Sequence, residues 1–286
     1  MIGLTRPITK DAKAVVTGAG SGIGREFAIE LGRRGAQVVC ADVNEVGAAE
    51  TVSLVEAGGG SAMAVRCDVS DSDDVHDLRE TAVAWFGQTP TLLINNAGIG
   101  AGGHTVGTTS LDDWKRTLDI NLWGVIHGCH HFVPAMRAAG RGGVINVASA
   151  AGFAAGPRMA AYNVSKAGVM SLSETLAAEF AGSGLRVTVL CPTFVKTNIF
   201  AGPLIEERAA STAAQVASLV GMSPRRVARQ TLDAHDKGRL YVVPQLDARA
   251  IWLGKRLAPA VHARVGGALS QLAPFAKEEV KEEGVR

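Results

Sequence analysis

Ser149, Tyr162 and Lys166 are the side chains in this sequence whose types and spacing suggest acid–base chemistry. Tyr162 and Lys166 stand four residues apart. The stretch from about Met159 onward reads as a helix, which would put both on one face with the ammonium near the phenol. An isolated phenol, with a pKa near 10, is a poor base at neutral pH. A neighbouring cation favours the phenolate and brings the group toward the range needed to exchange protons with an alcohol or ketone. Ser149 follows the apolar run Gly143-Val-Ile-Asn-Val-Ala148, which has the character of a buried strand, so its hydroxyl is expected at a strand's carboxyl end. A Tyr-x-x-x-Lys pair is more often a pair of surface neighbours. Its meaning depends on whether other elements supply a redox partner.

Those elements begin at Lys13, where Lys-Ala-Val-Val-Thr-Gly gives way to a glycine-rich turn and then to a helical pattern through Phe27 and Leu31. Strand, glycine turn and helix in this order suit a pyrophosphate, because glycines admit the backbone close to phosphate oxygens and a helix start offers unpaired N–H groups. The spacing is Gly18-x-x-x-Gly22-x-Gly24, preceded by Thr17 and including Ser21 and Ile23, rather than G-x-G-x-x-G. The next strand, Gln37–Asp42, ends in a carboxylate able to accept from ribose hydroxyls, which favours NAD. A 2′-phosphate would meet Asp42 with like charge. Arg25, Arg33 and Arg34 are expected on the helix, leaving NADP the less favoured cofactor.

Further strands are expected at Ala62–Asp68 and Thr91–Gly98, the second with Asn95 and Asn96 at its carboxyl end. Asp68, just before Val69, reads either as a helix-opening acid or as a contact to adenine. Asn95 and Asn96 need partners if buried, and tying strands together is the plain role for them, while Ala97 and Gly98 leave room for a ligand. One long helix is expected from about Leu111 to Ala139, with Asn121 among Trp114, Leu118, Leu122 and Trp123. A buried amide there is a candidate for a proton relay. His127, His130 and His131 share that helix without carboxylate or cysteine support, so packing or subunit contact is favoured and no metal site is expected. After Tyr162 come a strand at Gly184–Pro192, a lid-like loop at Asn198–Met222, a helix near Pro224–Lys237 and a strand at Leu240–Val243. This alternation predicts an α/β fold: one Rossmann-like, doubly wound parallel sheet with helices on both faces, in a single domain over residues 1–244 whose substrate loop spans about 192–223.

Composition narrows the function classes. The chain has 286 residues, 47% hydrophobic and 20% charged, enough for a sizeable core. A net charge of +2 and no basic stripe interleaved with aromatics argue against nucleic acid as a partner. The N-terminal residues turn polar too early for a signal peptide, and no run is apolar enough to span a bilayer, so a cytoplasmic location is expected. Cys40, Cys67, Cys129 and Cys191 form no metal pattern and read as buried small hydrophobes. Residues 245–276 form an amphipathic helical extension with Arg249, Lys255, Arg256 and Arg264 interleaved. It is expected to pack against the body or a second subunit near the substrate mouth, with membrane contact the less favoured reading. Residues 277–286, seven of them charged, read as a solvated tail.

Taken together, Thr17–Gly24, Asn95–Gly98, Asn121, Ser149 and Tyr162 with Lys166 resemble the short-chain dehydrogenase/reductase family over about residues 10 to 244. The resemblance implies catalytic Asn121, Ser149, Tyr162 and Lys166. It places the cofactor against Gly18, Ser21, Gly22, Ile23, Gly24, Asp42, Asp68, Val69, Asn95, Ala97, Gly98, Tyr162, Lys166, Pro192, Val195 and Thr197. Tyr162 would trade a proton with the substrate oxygen, Ser149 would hold that oxygen, Lys166 would hold the ribose and lower the phenol's pKa, and Asn121 would hold a water. A homotetramer or homodimer joined through the long central helices is also implied. Where the family usually has Pro-Gly, this chain has Pro192-Thr193, which bears on the backbone beneath the nicotinamide. With Ser149, Phe153, Tyr162 and Phe194 taken as the substrate set and Met159 nearby, the expected substrate is a small hydrophobic secondary alcohol or ketone, with steroid-like compounds included. The alternatives are an NADPH-dependent carbonyl reductase and a non-catalytic NAD(H)-binding redox sensor.

Overall fold

Two consecutive apolar stretches, Val15-Val16 and Val38-Val39, show how the chain builds its core. In a strand successive side chains point to opposite faces. Val15, Val39, Leu93 and Val144 enter one hydrophobic cluster, whereas Val16, Val38, Ile94 and Ile145 enter the other. A sheet buried on both faces needs such continuous apolar runs rather than alternation. The computed structural model describes residues 7–272, and the charged stretch 277–286 lies outside the described residues.

The elements follow in the order β1 (Lys13–Thr17), α1 (Gly22–Arg33), β2 (Gln37–Asp42), α2 (Glu45–Ala57), β3 (Ser61–Arg66), α3 (Ser72–Phe86), β4 (Leu92–Asn95), α4 (Leu111–Leu118) and α5 (Gly124–Ala138). The rest are β5 (Gly142–Val147), α6 (Ala151–Ala154), α7 (Ala160–Glu179), β6 (Leu185–Leu190), α8 (Glu207–Val220), α9 (Pro224–Asp236), β7 (Tyr241–Val242), α10 (Leu246–Leu257) and α11 (Pro259–Leu272). Seven strands form one sheet in the order β3-β2-β1-β4-β5-β6-β7, and all neighbours run parallel. Helices α1, α2 and α9 contribute to one core cluster; α3, α5 and α7 contribute to the other. The fold is thus the doubly wound single-domain sheet expected from the sequence. The strand order reverses between β1 and β4, so their carboxyl ends open the crevice where such sheets bind ligands.

Side chains fix where several helices start. Asn44 caps α2 by accepting from Gly47 N, Asp71 caps α3 by accepting from Asp73 N, and Ser110 caps α4 by accepting from Asp113 N. Each such bond contributes about 1 kcal/mol.

The long helix expected from Leu111 to Ala139 is interrupted. Between α4 and α5 the backbone widens into a π-helical turn at Asp119–Trp123. An extra residue per turn rotates side chains out of α-helical register, and such bulges recur at functional positions. Here the rotated residue is Asn121, which is fully buried.

The loop after β6 carries a 14-residue helix, α8, larger than the short helix expected. Its two ends are tied together by the Val195–Met222 bridge, and its crest lies on the segment after β4 through the Gly102–Ile205 bridge. Among the described residues no helix is long and apolar enough to cross a membrane. The four cysteines are free and buried, and burial pushes the thiols of all four up to about 12, as inert small hydrophobes require.

Candidate active site

The glycine turn is built so tightly that side chains are excluded. A Cβ on Gly18, whose φ is +63°, would stand 2.7 Å from Ala97 Cα, and one on Gly24 would stand 2.0 Å from Gly18 O. Gly22, with φ +55°, would place a Cβ 3.1 Å from Thr197 Cγ2. The turn is locked from below: Asn96 Nδ2 donates to Thr17 O (2.9 Å) and Gly18 O (3.1 Å), and Thr17 Oγ1 accepts from Asn96 N and Ala97 N. At the β2 end Asp42 Oδ2 accepts from Gly20 N at 2.7 Å, so one carboxylate both closes the turn and flanks the crevice.

These features fit a dinucleotide pyrophosphate. Helix α1 begins at Ser21 without a side-chain capping bond and with no acid in its first turn, leaving its N-terminal N–H groups and positive dipole end for an anion. Ile23 lies in that first turn, half-buried against the core. Arg25 points away from phosphate duty: Nε donates to Thr51 Oγ1 at 3.0 Å, and Nη2 meets Glu50 at 2.9 Å and also donates to Gly20 O.

The proton-handling side chains converge on the β5 side of the crevice. Tyr162 and Lys166 occupy the first two turns of α7 and both are buried. The Ser149 hydroxyl lies close enough to the Tyr162 phenol to draw its pKa down. The serine Oγ also accepts from Ala151 N (3.2 Å) and donates to Pro192 O (3.4 Å). Lys166 Nζ donates to Val147 O at 3.1 Å and lies 5.8 Å from the centre of the Tyr162 ring. A Cβ on Gly98 would stand 3.0 Å from Asn121 Oδ1 and 3.3 Å from Lys166 Nζ, which places all three together. Asn121 accepts from Ile99 N (2.8 Å) and donates from Nδ2 to Ile99 O (2.9 Å) and to Ser165 Oγ (3.4 Å).

One electrostatic expectation needs correcting. Burial dominates at Tyr162 and pushes the phenol up from 10, with the Ser149 hydrogen bond as the opposing influence. Lys166 is not among the causes of that shift, and its own pKa is lowered by burial from 10.5 to about 8.

The remaining expected residues divide between crevice and interior. Ala97 and Thr197 pack against the glycine turn, Gly98 lies beside Lys166, Pro192 O accepts from Ser149, and Val195 is buried in a bridge with Met222. Asp68 folds back on Ser70, accepting from its N (3.0 Å) and Oγ (2.6 Å), while Asp71 is the cap of α3. Val69 is buried against Gly124, and its carbonyl hydrogen-bonds His127 Nδ1 at 3.0 Å. Asn95 faces the interior: Nδ2 donates to Asn146 Oδ1 (2.9 Å), and Asn146 Nδ2 donates to Ser173 Oγ (3.0 Å), forming a strut from sheet to α7. Asn95 is therefore placed to support the sheet rather than to touch a cofactor.

Phe153 likewise turns into the core, 5% exposed, with its ring 6.4 Å from Trp252 of α10, so it backs the Ser149 segment instead of lining the mouth. Phe194 remains at the mouth, 5.9 Å from Phe200. A small cleft is lined by Ala101, Met159 and Leu204, with Asp113, His104 and Arg158 at its polar side. Thr17 and Gln245 carry structural duties at the site that the motif reading did not assign.

A parallel sheet with an anion-ready glycine turn at its switch point, facing a Ser-Tyr-Lys cluster, defines a dinucleotide-binding protein with acid–base equipment. Residues 12–207 match the short chain dehydrogenase family, and the chain belongs to it. It is 38% identical over 201 residues to "Probable oxidoreductase EphD" of Mycobacterium tuberculosis, covering 70% of this chain and 34% of that protein. The chain thus spans about a third of the length of that relative. A cyclohexanol dehydrogenase of Acinetobacter is 37% identical over 188 residues, covering 66% of this chain and 74% of the relative. Among solved structures, a short chain dehydrogenase/reductase from Burkholderia phymatum in complex with NAD superposes with a TM-score of 0.79 at 35% identity, covering 87% of this chain and 94% of that one.

Proposed function

We propose that this protein is an NAD-dependent oxidoreductase that transfers a hydride between a hydrophobic secondary alcohol or its ketone and nicotinamide. The carrying observation is Tyr162 close enough to Ser149 to feel its hydroxyl, with buried Lys166 beside it and next to Gly98. When bound, the dinucleotide supplies the hydride acceptor or donor. The protein's own residues supply the proton chemistry. Tyr162, with its pKa above 10, carries its proton at neutral pH and is set to deliver it to a ketone oxygen. In alcohol oxidation the phenol must first release that proton, so oxidation gains from rising pH. Ser149 Oγ, fixed by Ala151 and Pro192, is placed to hydrogen-bond the substrate oxygen. Lys166 offers an ammonium beside Gly98 for ribose hydroxyls, and Asn121 keeps the Gly98–Ile99 segment in place with one acceptor lone pair left for a water.

Asp42 and the engagement of Arg25 with Gly20 and Glu50 support NAD over NADP, because a 2′-phosphate would meet a carboxylate without a free cation. Met159, Phe194, Phe200 and Leu204 support an apolar substrate, and the relative that is a cyclohexanol dehydrogenase agrees with a compact alicyclic alcohol. Half-exposed Trp123 and Val164, on the π turn and α7, support subunit association through these helices, which light scattering would test. The function is tested by absorbance at 340 nm with cyclohexanol, longer secondary alcohols and both dinucleotides. Tyr162→Phe is expected to remove turnover while leaving NADH affinity nearly intact. Failure of every alcohol and ketone with intact NADH binding would replace the enzyme reading with that of a redox sensor.

A further inference from the structure

The strip Pro192–Val195 runs along the crevice and enters the loop carrying α8. Its polar backbone groups are met by a side chain from the start of the C-terminal helices. Gln245 Oε1 accepts from Thr193 N at 3.2 Å, and Gln245 Nε2 donates to Phe194 O at 3.0 Å. The reverse orientation of the amide would set donor against donor and acceptor against acceptor, so the pairing fixes it. A primary amide here does what a neighbouring strand would do: it presents one acceptor and one donor to consecutive backbone groups. Met222 N donates to the same Phe194 O at 3.0 Å, so both ends of the α8 loop and the start of α10 meet at one carbonyl. Thr193 Oγ1 adds a 3.4 Å bond to Asp247 in the first turn of α10, and Thr193 takes no left-handed backbone angle.

The same extension braces the other neighbour of Ser149. Its Oγ is held between Ala151 N and Pro192 O. The first belongs to α6, which is backed by Trp252 against Phe153 and by a 2.9 Å bond between His262 Nε2 and Ala154 O. The second belongs to the strip that Gln245 grips. Helix α10 is itself seated by fully buried Ala248, by Trp252 on Tyr241 (5.1 Å between rings), and by Arg249 Nε on Val243 O (2.8 Å).

We propose that Gln245 is a positioning residue through which the C-terminal extension sets the strip 192–195, and with it the placement of the Ser149 hydroxyl and the anchoring of the α8 loop. For turnover this rests on the oxidoreductase function above; for loop anchoring it does not. The side-chain amide of Gln245 is engaged by Thr193 N and Phe194 O. It acts through Thr193 and Phe194.

The test uses Gln245→Ala and Gln245→Glu in the full chain, with two kinds of readout. Exposed Lys196 and Arg208 report the loop by trypsin cleavage, which should quicken by about tenfold in Gln245→Ala as local opening becomes easier. With an alcohol that the wild type oxidises, kcat/KM should fall by about tenfold or more, as small misplacements of a catalytic group do, while NADH affinity by fluorescence stays within about twofold. Gln245→Glu separates positioning from general loss of packing. Its carboxylate still accepts from Thr193 N but repels Phe194 O, and only its protonated form restores the donor. Its deficit should therefore shrink as pH falls toward about 5, whereas that of Gln245→Ala should not. Unchanged cleavage in both variants would overturn the proposal, as would parallel losses in NADH binding and turnover. If the wild type turns over no alcohol, the proposed function fails and the cleavage rates alone decide the clamp.

Discussion

Lys166 carries a cost that can be measured apart from activity. Burial lowers its pKa from 10.5 to about 8, so at neutral pH the fold holds an ammonium it disfavours. At about 1.4 kcal/mol per pH unit, that fall corresponds to about 3 kcal/mol of lost stability. Lys166→Met keeps the length and removes the charge, but it also removes the 3.1 Å bond to Val147 O, worth about 1–2 kcal/mol. The variant should therefore be more stable than wild type at pH 7 by about 1–2 kcal/mol, or about 2–6 °C in Tm for a chain of this size, while losing activity.

The sign with pH is specific. Below about 8 the lysine is charged folded and unfolded alike, and the whole cost is present. Between about 8 and 10.5 the unfolded chain binds more protons, so wild type gains stability that Lys166→Met cannot gain. Urea unfolding of both proteins at pH 7 and pH 9.5, at fixed protein concentration, should show the variant's advantage shrinking or reversing. A variant less stable at pH 7, or an offset that does not change with pH, would refute the assignment of a desolvated ammonium.

Other outcomes follow from the same geometry. His235 is fully buried, donates from Nδ1 to Thr188 Oγ1 (2.9 Å), and leaves Nε2 unpartnered against Gly143, so burial holds its pKa down at about 4. Its stabilising neutral form is complete above the unfolded value near 6.5 and is lost as pH falls through about 4, at a cost of about 3 kcal/mol; His235→Gln should flatten this acid limb in a stability–pH series. Gly128→Ala would drive a Cβ to 2.1 Å from Asn95 Oδ1, and denaturant unfolding should show a loss of about 2 kcal/mol or more from the broken amide strut. Asp42→Ala should narrow the preference for NAD over NADP, read as the ratio of the two affinities, and should weaken both because Gly20 N loses its acceptor. Alcohol oxidation should rise with pH from 7 to 9 and ketone reduction should not, because the phenol's raised pKa keeps the proton in place for donation.

Local pattern made most of the architecture legible. Continuous apolar strands alternating with amphipathic helices are buried as a two-sided parallel sheet, and Thr17–Gly24 with Asp42 marks its switch point in the sequence itself. Strand parity could have carried the reading further. Asn95 shares parity with Leu93 and so faces the α5–α7 cluster, whereas Asn96 shares parity with Leu92 and Ile94 and so faces the glycine turn that it locks. The motif, read as one block, concealed that division of labour.

What tertiary structure alone decided concerns groups far apart in sequence. The π turn that buries Asn121 has no signature in local propensity, since it depends on Ile99 waiting 22 residues earlier with both backbone groups unpaired. Phe153 was apolar and near Ser149, yet its direction was set by Trp252, about a hundred residues on. The grip of Gln245 on Thr193 and Phe194 joins segments about fifty residues apart. Spacing told which side chains share a helix face. It could not tell that desolvation would raise Tyr162 and lower Lys166, because burial is a property of everything packed around a group and not of its neighbours in the chain.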